Sequence, residues 1–266
     1  MNTVSSMAFG CEYHTNLKTI KDNIGDFQDD FIKHRLLIFR DLEPTKEEQL
    51  EITNLFMFGK GNRNILYDDA VSHEYFSKSG RLEKEDPNTL VGHWHVDNAV
   101  HEYSTSLVTM HMSHWVGKQG TGNTIFIDLE GLFQVCPDHY KSELKDIELL
   151  HQSGQDDTEG NLARGAVHPL FRIHPITGNT ILFYTGPDLN PVNGPVPEFD
   201  LFKEWVSMIL KRILDEDYYP ELKYELEWNQ GDMVLMDNRC ILHGFRGGWK
   251  LGERVIHKAE GQWVRP

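Results

Sequence analysis

The chain has little with which to cross-link itself. Cys11, Cys136 and Cys240 are its three cysteines among 266 residues. This odd, sparse set has no CxxC spacing, which argues against a disulfide framework and fits a reducing, cytoplasmic setting. The three thiols are expected to behave as small buried hydrophobes. Positive charge is also scarce: 26 Lys and Arg face 41 Asp and Glu, for a net charge of −15. A phosphate backbone or an anionic membrane surface calls for a basic face, so nucleic acid and membrane are not expected partners. One local cation would still suffice to hold a small anion. No apolar run approaches the ~18 residues of a membrane span, and the N-terminal stretch lacks the basic and apolar regions of a secretory signal. Internal repeats, low-complexity tracts, βαβ alternation and an obvious linker are all missing, so residues 1–266 are read as one domain.

What remains is an ordinary globular composition. Apolar residues at 39% and charged residues at 25% can build a core rather than a disordered chain. Residues 16–34 have helical spacing of Leu17, Ile20, Ile24, Phe27 and Phe31. Residues 34–40 read as a buried strand. Thr45-Lys-Glu-Glu48 is a capping box, opening a helix expected to end near Gly59. Strands are predicted over 105–112, 123–128, 232–236 and 254–257, with a hairpin of 171–174 and 180–184 around Pro175-Ile-Thr-Gly178. A helix over about 200–215 carries a stripe of Phe202, Trp205, Val206, Ile209, Leu210 and Ile213, read as core packing. Residues 60–92 and 153–166 are polar and irregular, and are candidate lids. Many short strands with few helices point to a mainly β fold, an antiparallel sandwich or jelly roll with flanking helices.

Fourteen histidines draw attention to a metal site. In Gly92-His-Trp-His-Val-Asp97, residues i and i+2 of an extended segment face one way, so His95 and Asp97 are able to grip one ion. His243, in Asp237-Asn-Arg-Cys-Ile-Leu-His243, is the candidate third ligand. It is placed after a strand and before Gly244-Phe-Arg-Gly-Gly248. Two histidines and a carboxylate on one face form the facial triad of non-haem iron(II) oxygenases, with positions left open for cosubstrate and dioxygen. Alone, His-x-Asp is more often a salt bridge than a ligand pair. Arg254 follows His243 by eleven residues, and a guanidinium returned to such a site has a use in gripping a carboxylate.

These motifs resemble one family. Trp94-His-Val-Asp97, Gly122-Asn-Thr124, Asp237-Asn-Arg239 with His243, and Arg254 with His257-Lys258 are similar to those of the taurine dioxygenase family of 2-oxoglutarate-dependent oxygenases. Leu37-Ile-Phe-Arg-Asp41 resembles its N-terminal part. The resemblance implies a double-stranded β-helix, the cupin-like jelly roll. It also implies iron(II) on His95, Asp97 and His243, with 2-oxoglutarate as cosubstrate and dioxygen as oxidant. Arg254 and the Thr124 hydroxyl would take the distal carboxylate of 2-oxoglutarate, while Asp237 and Asn238 would be supports. Succinate and carbon dioxide would be released as a substrate C–H bond is oxidised, with hydroxylation, desaturation, cleavage or isonitrile formation as outcomes. Members that bind sulfonates or carboxylates typically carry a second Arg where this chain has Lys258. Lys258 and Asn98 are therefore the candidate substrate-binding residues, for a small polar or anionic metabolite or an amino-acid derivative.

Two other readings stay open at this point. His93-x-His95-x-Asp97 also fits a zinc hydrolase, although Asn98 stands where such enzymes usually place another His. A non-catalytic jelly-roll binding protein is the third reading. His101, His111 and His114 are read as ordinary strand or loop residues. His168 and His174 are read chiefly as structural, and Trp94 as packing or as a shield for the metal. A homodimer is the default expectation for assembly.

Overall fold

A computed structural model describes residues 3–6, 9–57, 64–68, 90–100, 107–152, 165–186, 189–216, 218–250 and 252–261. Its strands are β1 (Thr3–Ser6), β2 (Cys11–His14), β3 (Leu36–Arg40), β4 (Asn64–Asp68), β5 (Leu90–His95), β6 (Leu107–Trp115) and β7 (Thr124–Asp128). There follow β8 (Glu148–Gln152), β9 (Gly165–Pro169), β10 (Phe171–Ile173), β11 (Thr180–Leu182) and β12 (Asn190–Pro191). The last four are β13 (Lys223–Leu226), β14 (Met233–Asp237), β15 (Ile241–Arg246) and β16 (Arg254–Gly261).

A seven-stranded sheet runs β1-β2-β3-β14-β6-β16-β4, and a four-stranded sheet runs β13-β7-β15-β5. Pairing is antiparallel except between β2 and β3. Alternation of side chains explains how the large sheet is covered on both faces. Leu36, Ile38, Val234 and Met236 join Val108, Met110 and Ile256 in one core, which also takes in Ile125, Phe126 and Ile241 of the smaller sheet. Leu37, Phe39, Met233 and Leu235 point the other way, into a second core closed by Ile20, Phe27, Phe31, Ile52 and Phe56 of the N-terminal helices. This double burial is why β3 and β14 read as unbroken apolar runs, Leu-Leu-Ile-Phe and Met-Val-Leu-Met. The Pro197–Asp215 helix buries Phe199, Phe202, Val206, Ile209, Leu210 and Ile213 in the first core, and it starts a turn earlier than its stripe suggests because Pro197 is tolerated in the first turn.

Several expectations need correction. The helix predicted over 16–34 is two helices, Leu17–Asp22 and Ile24–His34, because Asn23 leaves helical geometry (φ −126°, ψ 32°) and caps the first. His34 belongs to that second helix, and Arg35 turns into the strand with φ +63°. The capping box on Thr45 and Glu48 forms as expected, but its helix ends at Leu55, ahead of Gly59, which lies outside the described residues. Within the stretches read as irregular, Asn64–Asp68 pairs with β16 and Gly165–Pro169 with β8. Strand signal was missed there because an edge strand needs only a few apolar positions. Residues 69–89 and 153–164 of the candidate lids lie outside the described residues. No helix among the described residues is long and apolar enough to cross a membrane.

Candidate metal centre

The smaller sheet brings the proposed ligands together. β15 pairs with β5 so that His243 stands directly opposite His95, and the two ring centroids are 4.2 Å apart. His243 therefore lies within a strand rather than after one, as the sequence had suggested. Asp97 is likewise not on a strand: β5 ends at His95, and Asp97 sits in the turn beyond it. What fixes that turn is Asn238. The backbone N–H of Asp97 donates to Asn238 Oδ1 (3.0 Å), and Asn238 Nδ2 donates to the Asp97 carbonyl (2.9 Å). A side-chain amide thus imitates one more rung of the ladder, and it hangs from the 237–240 turn that joins β14 to β15.

Asp97 reaches both imidazoles, with Oδ1 3.8 Å from His95 Nε2 and Oδ2 3.5 Å from His243 Nε2. The three ligand atoms lie within 4.8 Å of one another. Neither Asp97 contact is a strong hydrogen bond, and Oδ2 is buried. An octahedral dication with bonds near ~2.1 Å sets neighbouring ligand oxygens or nitrogens ~3 Å apart, so small side-chain shifts would close these three atoms on an ion. The donor set of two imidazoles and one carboxylate suits iron(II). His243 is buried, whereas His95 keeps 40% of its side chain accessible, which leaves one side of the cluster open.

Lys258 approaches from the large sheet. Its ammonium lies 2.7 Å from Asp97 Oδ1 and 2.9 Å from Glu260 Oε1. Burial pushes the Asp97 carboxyl up, but Lys258 and then His243 override it and hold the group well below the usual carboxylate range. Burial also opposes the Lys258 charge, and the two carboxylates raise it above an ordinary lysine. Asn98, at φ +55°, donates from Nδ2 to Glu260 Oε2. The two candidate substrate residues are thus joined through one buried carboxylate, Glu260, that the sequence reading passed over. Only its parity with Arg254 and Lys258 on β16 could have pointed to it.

The candidate cosubstrate residues lie further along the same strands. The β15–β7 register pairs His243 with Phe126 and Phe245 with Thr124. Arg254, buried on β16, stacks its guanidinium over Trp249 at 4.6 Å and lies 6.0 Å from the Phe245 ring. The turn beneath is tight: at Gly122 (φ +66°) any Cβ would meet Trp115 at 3.0 Å and Trp249 at 3.1 Å. Trp228 Nε1 donates to Thr124 Oγ1 at 2.9 Å. Since an indole N–H only donates, the Thr124 oxygen is the acceptor and its own proton remains available for another partner. Trp228 and Trp249 carried no signal in the sequence beyond hydrophobicity.

The remaining histidines divide cleanly. His174 Nε2 meets Asp237 Oδ2 at 2.9 Å inside the core, and His168 Nε2 meets the Ala99 carbonyl at 2.9 Å. His111 faces His257 on the large sheet, with ring centroids 5.9 Å apart. Trp94 packs rather than shields, with its ring against Gly244, where a Cβ would come within 3.3 Å of it. His101 and the His93 side chain lie outside the described residues. All three cysteines are buried and free.

Comparison with known proteins follows the same lines. The family model described as taurine catabolism dioxygenase TauD, TfdA family matches residues 5–259. An alpha-ketoglutarate-dependent 2,4-dichlorophenoxyacetate dioxygenase of Burkholderia sp. (strain RASC) is 23% identical over 260 residues, covering 89% of this chain and 84% of its own. Among solved structures, AAD-2 in complex with Mn(II) and N-oxalylglycine superposes with a TM-score of 0.72 at 19% identity, covering 100% of this chain and 99% of that one. A taurine dioxygenase from Burkholderia xenovorans gives 0.68 at 17% identity, covering 97% and 89%. At these identities the structures speak for the fold, which is the jelly roll.

Proposed function

This chain belongs to the taurine catabolism dioxygenase TauD, TfdA family, an oxidoreductase family that uses iron(II), 2-oxoglutarate and dioxygen, and from that premise we propose which residues do its work. His95, Asp97 and His243 are the iron ligands. Arg254 and Thr124 receive the distal carboxylate of 2-oxoglutarate. The substrate is a small molecule that loses a C–H bond to oxidation.

The observation that carries this reading is the strand pairing of His243 with His95 and the position of Asp97 between them. The zinc-hydrolase alternative draws its ligands from the single stretch 93–97, and this cross-strand partner favours the triad over it. When bound, iron(II), 2-oxoglutarate and dioxygen supply the oxidising chemistry, with succinate and carbon dioxide as the other products. The chain's own part is positioning. Asn238 holds the Asp97 backbone and so aims its carboxylate. Trp249 stacks under the Arg254 guanidinium and limits its freedom, so less order has to be imposed when a carboxylate is gripped. Trp228 accepts none of the Thr124 proton, leaving that hydroxyl to donate.

Anaerobic addition of iron(II) and then 2-oxoglutarate tests the assignment, because a bidentate keto-acid chelate of iron(II) is coloured. Colour is expected in the wild type, with a 2-oxoglutarate requirement that rises at least ~tenfold in Arg254→Lys, where the planar fork is lost. A colourless wild type, or an unchanged requirement in the variant, counts against the ligand set or the Arg254 role respectively.

A further inference from the structure

Resting on the site assignment above, we infer that the Lys258–Glu260 pair makes this site select an uncharged substrate and turn away carboxylates and sulfonates. A lone lysine beside the metal ligands would be an anion receptor. Here the ammonium is already shared by two carboxylates, Asp97 Oδ1 at 2.7 Å and Glu260 Oε1 at 2.9 Å. Glu260 is 5% exposed and is tied on its other oxygen by Asn98, so it does not swing away to release the lysine.

Charge bookkeeping among the described residues leads the same way. Asp97, Glu260 and Lys258 sum to −1, and Arg254 adds +1. A dication adds two positive charges and bound 2-oxoglutarate two negative ones. The loaded site is then neutral, and an anion placed at Lys258 meets the repulsion of both Asp97 and Glu260, which offsets the attraction of the ammonium they already share. An uncharged substrate has no such opposition. It finds one wall of apolar side chains from the shared core, such as Met110 opposite Lys258 on β6, and one polar edge at Asn98 and Glu260.

The large sheet explains why these groups share a wall. Arg254, Ile256, Lys258 and Glu260 alternate along β16 and face the same side, and Ile256 belongs to the core between the sheets. A one-residue slip would bury His257 and Ala259 there instead. Register alone therefore fixes the carboxylate next to the cation.

The probes are phenoxyacetate and its neutral amide, phenoxyacetamide, matched in shape and differing in charge. Each is titrated anaerobically into protein loaded with iron(II) and 2-oxoglutarate, with binding followed by calorimetry. The wild type is expected to bind the amide at least as tightly as the acid. Glu260→Gln, which keeps the shape and removes the charge, is expected to gain at least tenfold in affinity for the acid. A wild type that binds the acid more tightly than the amide overturns the proposal, and this needs no variant. So does a Glu260→Gln protein that forms the coloured complex yet gains nothing for the acid. Loss of that colour in the wild type refutes the metal-site reading instead, which keeps the two failures apart.

Discussion

Among the described residues two clusters satisfy the same distance test for a metal site, and one of them has the chemistry of such a site. His95, Asp97 and His243 lie within 4.8 Å of each other through one ligand atom each, and so do Glu130, His174 and Cys240. In the second cluster every group is already engaged. Glu130 receives Arg35 at 2.8 Å, Thr177 Oγ1 at 3.1 Å and Asn179 Nδ2 at 3.1 Å. His174 accepts the Thr177 N–H on Nδ1 at 3.1 Å and therefore donates from Nε2 to Asp237. Arg239 clamps Asp237 from both sides of its guanidinium, and Cys240 leans on the Asp237 carbonyl at 3.7 Å. Burial lifts the Cys240 thiol well above its ordinary value, so no thiolate is at hand. In the first cluster Asp97 Oδ2 is buried without a hydrogen-bond partner and lies 3.5 Å from His243 Nε2. Proximity of ligand-type residues is thus a poor criterion, and unspent lone pairs are a better one.

The comparison breaks most sharply under ligand deletion. His243→Ala is expected to abolish stoichiometric iron(II) binding and to lower succinate release at least ~100-fold, more than changes to outer partners cost, while the folded core persists. Metal content and turnover measured on the same preparation check this; bound iron retained in the folded variant would move the site elsewhere. Asp237→Ala should do the reverse. It strands Arg239 as a buried charge without its clamp and takes His174's partner, at a cost of ~3–5 kcal/mol in unfolding free energy. Denaturant titration reads that loss, and a variant as stable as the wild type would show the network to be ornamental. Asn238→Ala falls between the two, since its amide holds the Asp97 turn. Iron affinity should fall ~10–100-fold, with a smaller change in stability than Asp237→Ala gives.

The three ligands were legible because metal chemistry needs particular side chains, and those stand out against a background of Leu and Val. How they meet was not legible. The i, i+2 argument put His95 and Asp97 on one strand face, yet Asp97 sits in a turn whose geometry comes from Asn238, some 140 residues away, and no local pattern encodes such a tie. Glu260 escaped for a related reason: it lies beyond the strand predicted over 254–257, and the longer β16 with its register against β6 is what sets it near Lys258. The fold class followed from many short strands with few helices and no βαβ alternation, and burial on both faces of the large sheet explains the two fully apolar runs. The edge strand β9 was invisible because alternate side chains along it answer to solvent.

The smallest expected effect belongs to buried histidines of the scaffold and is read by pH. His151 is buried against His168 and Phe183, and burial, then His168 and Arg172, lower its pKa to about 3. Burial and then His257 lower His111 to about 4. Both rings are therefore neutral in the fold at pH values where the unfolded chain, near 6.5, takes up protons. A base with a depressed native pKa contributes stability that is complete above about pH 6.5 and drains away as pH falls toward 4 and 3. Below the unfolded value each such histidine steepens the loss by up to ~1.4 kcal/mol per pH unit. Urea midpoints measured at pH 7.0, 5.5 and 4.5 should fall for the wild type. His151→Asn, which leaves nothing to protonate there, should flatten the fall between pH 5.5 and 4.5. An equal slope in His151→Asn would mean that the ring is solvated in the fold, and the pH dependence would then have to come from His111 and other groups.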